Sequence, residues 1–337
     1  MIAIHYNKSS FASGWIQYCQ ENEVDHKIVN CFDNDIIDQI QGCRALIWHF
    51  HHADFKDSIV ARQILNAVEH SGVKVFPNFK TAWHFDDKVG QKYLFEALGL
   101  PSVKAYVFFS KEQALKWLYV TDFPKVFKLR KGAGSHCVEL VKTRKDAIRL
   151  VNKSFGCGHS IYKPLNIFYD RYRAYLRGKE TFLGVIKSLG RIFIKPVFFR
   201  YAPRERGYVY FQDFVANNPS DIRVIIIGEF AFFIRRANRP GDFRASGGGL
   251  ISYAPDENVK KCVAQAFLVN ERIQSQCIAF DFLIDSLGSP LFVEVSYGFD
   301  VPAYDKCVGY FDQELNWYTG TPNFHKWMID QVILNTQ

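Results

Sequence analysis

The sequence has no run of about eighteen apolar residues, the length needed for a membrane-crossing helix, so no such helix is expected. Its first residues, "MIAIHYNKSSF", lack the basic start, long apolar stretch and small-residue cleavage site of a secretory leader, and a cytoplasmic chain is expected. There are 8 cysteines (Cys19, Cys31, Cys43, Cys137, Cys157, Cys262, Cys277 and Cys307) but no CxxC pair, which excludes the common zinc-site spacings and a small disulfide framework. Buried free thiols are the economical expectation. Internal repeats, low-complexity tracts and base-recognition motifs are also absent.

What is present is ample core and an uneven charge. At 337 residues and 48% hydrophobic content the chain can form one large domain or a few smaller ones. The formal net charge of +8 is matched by residues 163–206 alone, which hold eleven Lys or Arg against three acids.

Residues 1–85 alternate short apolar runs ("IAIHY", "KIVNC", "ALIWHF", "VKVFP") with helical periods at 15–22 and 58–70, which predicts a small parallel α/β domain. Asp86 or Asp87 can cap a helix that ends near Gly99, before Pro101. The run "FPKVFKLRKGAGSHCVELV" predicts two strands joined by a glycine-containing turn, followed by a helix with Thr143 as cap and Asp146 completing a capping box. Within 163–206, "LNIFYDRYRAYLRG" fits a helix, and "FLGVIKSLGRIFIKPVFFRYAP" a helix followed by extended chain. Strands are then expected at "GYVYFQDFV", "DIRVIIIG" and "EFAFFIRRA", with Gly228 and Glu229 as a hairpin turn. A helix over 256–272 leads into "QCIAFDFLID" and "PLFVEVSY", joined by "SLGS". The expected segments are 1–85, a connecting region 86–121, a subdomain 122–211 and a carboxy-terminal subdomain 212–337.

Asp281 and Glu294 stand at equal distances from the centre of the "SLGS" turn, which makes them near cross-strand neighbours. Two unpartnered carboxylates at that spacing raise each other's proton affinity, and a hard divalent ion that also takes phosphate oxygens removes the conflict. The alternative is that one or both face solvent or pair with Arg235, Arg236 or Arg244. Lys128 on an apolar strand before the 132–135 turn, and the polar strand end Gln212, Asp213, Phe214 and Val215, add the types of group a nucleotide requires.

The ordered set Lys88, "FPKVFKLRKGAGSHCV", "VYFQDFV", "SDIRVIIIG", "FFIRRANRPGDFRASGGG", "CIAFDFLID" and "LFVEVSYGF" resembles the ATP-grasp enzymes, nearest the ribosomal-protein glutamate ligase and glutathione synthetase branch, over about residues 1–300. The resemblance implies an α+β ATP-grasp fold of the α/β class, with an amino-terminal parallel domain and two subdomains clasping the nucleotide. It makes Lys88 and Lys128 phosphate contacts, Gly132, Gly134 and Ser135 part of the closing loop, and Gln212, Asp213, Phe214 and Val215 the strand beside adenine and ribose. Asp221 becomes a further nucleotide-side residue, Arg235 and Arg244 face the transferred phosphoryl group and the acid substrate, and Arg223 has a structural or nucleotide-side position. Asp281, Glu294 and Ser296 bind Mg²⁺, or Mn²⁺ in its place. The chain departs from the family pattern at Asp213, one carbon shorter than glutamate, and at Ser246 and Ser296, which replace asparagines.

The implied activity is ATP-dependent ligation of a carboxylate to an amine through an acyl phosphate, the acid being a small molecule or linked to a polymer. The other reading is a nucleotide-binding or structural protein whose catalysis is weak or lost. For the nine Phe or Tyr among the cations of 163–206, four uses stay open: packing with the charges in water, stacking on nucleic acid, contact with an anionic polymer or membrane surface, or a homodimer contact.

Overall fold

The computed structural model describes residues 1–8, 10–51, 54–132, 137–161, 168–169, 171–172, 175–176, 178, 181–193, 203–238, 242–244 and 250–333. In chain order the main elements begin with β1 (Ile2–His5), α1 (Ala12–Glu21), β2 (His26–Val29), β3 (Ala45–Ile47), α2 (Phe55–His70) and β4 (Lys74–Phe76). Next come α3 (Lys88–Ala97), β5 (Ala105–Phe108), α4 (Lys111–Val120), β6 (Lys125–Lys128), β7 (Val138–Val141), α5 (Arg144–Phe155), α6 (Phe182–Phe193) and β8 (Val209–Asp213). The last group is β9 (Ser220–Ile227), β10 (Phe230–Ala237), β11 (Ile251–Ser252), α7 (Glu257–Ile273), β12 (Cys277–Ile284), β13 (Pro290–Ser296), β14 (Gly309–Phe311), β15 (Trp317–Thr319) and α8 (Phe324–Ile333).

Contacts group these elements into two units. The first comprises Met1–Phe85, Tyr93–Val103 and Val215–Gln337, and the second Asp86–Lys92 and Lys104–Phe214.

In the first unit the apolar runs of the amino terminus pair in parallel in the order β2-β1-β3-β4. The larger sheet is antiparallel, in the order β13-β12-β9-β10-β14-β15, with β11 on β10. Gly228, at φ 57°, supplies the left-handed residue that lets β9 turn back into β10. Strand alternation gives this sheet two faces. One face, with Val224, Phe233, Phe280 and Phe292, is covered by Val263 and Ala266 of α7. Asp256 starts α7 by accepting the Val259 N–H at 2.9 Å. The other face, through Ile225, Phe232 and Ala279, joins the core that also contains Ile4, Trp15 and Leu46 of the amino-terminal segment and Trp327 and Met328 of α8.

In the second unit the order β5-β8-β6-β7 is antiparallel throughout. Phe127, Val209 and Phe211 pack against Leu118 of α4 and Ala147 and Val151 of α5. Thr143 caps α5, accepting the Asp146 N–H at 3.2 Å while its hydroxyl donates to the Asp146 carboxylate at 2.7 Å. This is the mixed α/β architecture expected from the sequence.

All eight cysteines are free, seven of them buried and Cys157 exposed. Burial pushes the Cys19 thiol up to about 11 and, as its largest cause, the Cys262 thiol to about 12, so neither is a nucleophile near neutral pH.

Candidate nucleotide and metal site

Asp281 and Glu294 are direct partners across the β12–β13 ladder. A β-bulge is what allows this. Phe292 and Glu294 are two residues apart, so an unbroken strand would put both on one face. The register shifts between Asp281 and Phe282, so that Phe282 pairs with Phe292, Asp281 pairs with Glu294, and Val293 is the extra residue. Phe292 and Val295 therefore both reach the core under α7, while Glu294 turns to the face of Asp281.

The same face carries three more charged positions. Asp281 is in register with Arg223 of β9, and Arg236 of β10 is in register with Asp221. The Arg223 Nε and Nη2 groups donate to the two Asp281 oxygens at 2.5 and 2.7 Å. Arg236 donates to both Asp221 oxygens at 2.7 Å, and its Nη2 lies 3.1 Å from Asp281 Oδ1. The result is a chain of ion pairs, Asp221–Arg236–Asp281–Arg223. Burial disfavours the charged form of Asp281, but the guanidiniums of Arg223 and Arg236 outweigh it and hold the carboxyl well below the usual range. For Asp221 burial wins over Arg236 and, with Asp281 adding repulsion, pushes the carboxyl up.

Counting Glu294, three carboxylates and two guanidiniums belong to this face. Among the described residues, Asp281 Oδ1 meets two N–H donors and Oδ2 only one, so Oδ2 retains a position for a further electrophile. The donors suit a hard cation. Two carboxylates in register supply oxygen ligands and leave other positions of the ion to phosphate and water. Among the described residues no group of three or more His, Cys, Asp or Glu side chains forms a metal-ligand cluster. Ser296 lies on the Glu294 face in register with Ala279, and its hydroxyl donates to the Gly298 carbonyl at 2.9 Å.

Arg235, expected beside the phosphoryl group, is on the opposite face. It is in register with Ile222 and donates to the α7-capping Asp256 at 2.6 and 2.7 Å. Its neighbour Arg236 has the orientation expected of it. Arg244 forms a local pair with Asp242, with Nη2 to Oδ2 at 2.5 Å.

In the second unit Lys88 begins α3, and Asp87 caps that helix by accepting the Gly90 N–H at 2.9 Å. The buried Lys88 ammonium donates to the Gly132 carbonyl at 2.9 Å, and Asp86 accepts the Gly132 N–H at 2.8 Å. Gly132 has φ 120°, a conformation that favours glycine. Lys128 is also buried, and its pairing with Tyr210 puts it on the face of Gln212, whose partner on β6 is Val126. Asp213 turns the other way. Its carboxylate accepts from Lys125 at 2.6 Å, and the Lys125 ammonium lies 5.3 and 5.9 Å from the ring centres of Tyr106 and Trp117. Phe214 and Val215 are half-buried at the end of this strand. Gly134, Ser135 and Ser246 lie outside the described residues.

No family model matches the chain, and no curated protein matches it in sequence. Solved structures do. A RimK domain ATP-grasp protein from Sphaerobacter thermophilus aligns with a TM-score of 0.59 at 13% identity, covering 99% of this chain and 100% of that one. D-alanine–D-alanine ligase from Bacillus anthracis aligns with a TM-score of 0.54 at 14% identity, covering 99% and 96%. The biotin carboxylase domain of Hydrogenobacter thermophilus 2-oxoglutarate carboxylase, solved with magnesium ADP and bicarbonate, gives 0.59 at 13% identity over 98% and 69%.

The chain has the ATP-grasp fold. At these identities the likeness fixes the ATP-grasp architecture and leaves the chemistry to be argued from residues. Arg236 was missed by motif matching, yet strand alternation contains the signal. Once Asp221 and Arg223 share a face, the antiparallel pairing with β10 selects Arg236 over Arg235. Lys125, the partner that turns Asp213 away, had no sequence signal beyond its place on the neighbouring strand.

Proposed function

We propose that the protein is an ATP-dependent ligase that joins a carboxylate to an amine through an acyl phosphate. The observation that carries this reading is the in-register Asp281–Glu294 pair on a face shared with Arg223 and Arg236. A carboxylate is a poor acyl donor because its oxygen leaves badly, and phosphorylation by ATP corrects that. Lys88 and Lys128 are assigned to the nucleotide phosphates, together with the turn containing Gly132, Gly134 and Ser135, and Gln212, Phe214 and Val215 to the base. Mg²⁺, or Mn²⁺, held by Asp281 and Glu294 would neutralise charge during phosphoryl transfer. Arg236 takes the role first given to Arg235, stabilising the transferred phosphoryl group from the Asp281 face, and Arg244 is assigned to the acid substrate. Asp221 acts on the nucleotide side only through Arg236. The reaction is assigned to the cytoplasm, with a small or polymer-linked acid.

A second reading, nucleotide binding without turnover, is favoured by two observations: Asp281 already satisfies Arg223 at both oxygens, and Ser296 is engaged in its own turn. The two separate in one experiment. The protein is incubated with ATP, magnesium and libraries of acids and amines, and ADP and product masses are followed. A ligase releases ADP only when an acid is supplied, and hydroxylamine traps the activated acid as a hydroxamate. ATP binding with no acid-dependent ADP release across the libraries would reject the ligase reading in favour of the second.

A further inference from the structure

Helix α6 is amphipathic in the inverted sense. The residues it turns inward are of modest size, with Val185 the largest: Gly184, Val185 and Ser188 are buried. The residues it turns to solvent are large and apolar: Phe182, Leu183, Ile186 and Leu189 are 61, 68, 46 and 42% exposed. Their spacing places them on one stripe of the helix. A helix that packs on a domain ordinarily shows the reverse, so this stripe is not explained by the core of its own unit.

The preceding chain extends the apolar surface. Tyr175 and Leu176 are exposed, and the Tyr175 ring meets the Phe182 ring at 5.9 Å between centroids. Arg171 fastens this piece to α6 by donating to the Gly184 carbonyl at 3.2 Å. Lys187 is exposed on α6 itself, and the 163–206 segment that contains the helix carries eight more cations than acids.

We propose that the α6 stripe is a docking surface for an anionic lipid bilayer, on which the helix lies in the plane of the headgroups. Aliphatic groups at Leu176, Leu183, Ile186 and Leu189 suit the boundary between headgroups and acyl chains, and Lys187 beside them, in a segment of strongly basic sequence, suits anionic headgroups. A soluble polyanion would use the charge and the tyrosines but would leave the aliphatic side chains in water, because they offer no ring face for stacking. A second copy of the chain would bring one strongly basic segment against another. The surface lies on the helix rather than spanning a bilayer: among the described residues no helix is long and apolar enough to cross a membrane.

The proposal is independent of the ligase reading, because the test needs neither nucleotide nor substrate. The full chain is floated with vesicles of phosphatidylcholine alone or mixed with phosphatidylglycerol. Flotation with the anionic vesicles, weak flotation with the neutral ones and partial loss on raising salt are expected. The doubly substituted Leu183→Asp/Ile186→Asp protein should bind anionic vesicles at least about tenfold more weakly, and Leu189→Asp should show a smaller loss. Both substitutions are at exposed positions, and an unchanged far-ultraviolet spectrum and melting midpoint establish that the variants are folded. The proposal is overturned if the wild type stays in the soluble fraction with both vesicle types, if neutral vesicles bind it equally well, or if the double variant floats like the wild type. Binding to heparin that survives both substitutions, with no vesicle binding, would assign the segment to a soluble polyanion instead.

Discussion

Replacing Asp281 by alanine should be costly even when no ligand is present, because the residue is the hub of a buried charge network. Asp281 accepts from Arg223 at 2.5 and 2.7 Å and lies 3.1 Å from Arg236, with only 14% of its side chain exposed. Arg236 would keep Asp221, whereas Arg223 would lose both of its carboxylate contacts in a site where its own side chain is 22% exposed. Removing one partner of a buried pair typically costs about 3–5 kcal/mol, and the partial access of Arg223 to water puts the expected value near the lower end, about 3 kcal/mol. Arg223→Met should cost a similar amount. The double variant should cost less than the sum by about 2 kcal/mol, since each single change already breaks the same pair. Urea unfolding of the four proteins at neutral pH, without nucleotide, gives these values. Costs below about 1 kcal/mol for both single variants, or strict additivity in the double, would refute the reasoning.

Two further outcomes follow from the geometry. Burial, partly opposed by the His51 N–H at 2.6 Å and reinforced by Asp54, pushes the Asp57 carboxyl from 3.8 up to about 7. A raised carboxyl favours the fold only while it stays protonated, so its contribution is full below the unfolded value and is lost as pH rises from about 4 to about 7. Asp57→Asn, whose amide oxygen can still accept from His51, should therefore stabilise the protein at pH 8 by up to about 4 kcal/mol and hardly at all at pH 4. Equal effects at both pH values in thermal unfolding would contradict this. Lys128→Met should weaken ATP binding by about tenfold to a hundredfold, the worth of one charge-assisted hydrogen bond. An unchanged ATP dissociation constant would remove Lys128 from the site.

The sequence made the outline of the fold legible wherever periodicity and turn chemistry agreed. The parallel amino-terminal strands, the Thr143 cap, the Gly228 hairpin and the pairing of Asp281 with Glu294 could all be read locally. What could not be read was set by register and by the choice of face. The bulge at Val293 is invisible in "PLFVEV", because simple alternation would have put Phe292 and Glu294 together. Motif matching chose Arg235, while the pairing with β9 turns Arg236 toward Asp281. Asp213 matches a nucleotide-side position in sequence, whereas Lys125, its cross-strand partner, holds its carboxylate on the α4 side. For the segment that holds α6 the sequence gives only a helix followed by extended chain, and the ordinary expectation that large apolar side chains of a helix face a core fails at Phe182 and Leu183, both mostly exposed.

The central claim is that Asp281 and Glu294 act as one seat for a divalent ion carrying a nucleotide. Titration calorimetry of ATP into the wild type and Glu294→Ala, each with magnesium and with a chelator, tests it most directly. The account predicts tight uptake by the wild type only with magnesium, and in the variant a loss of about two orders of magnitude, the scale of a central electrostatic group. Identical heats with and without magnesium, or an alanine variant that binds magnesium ATP as the wild type does, would contradict it.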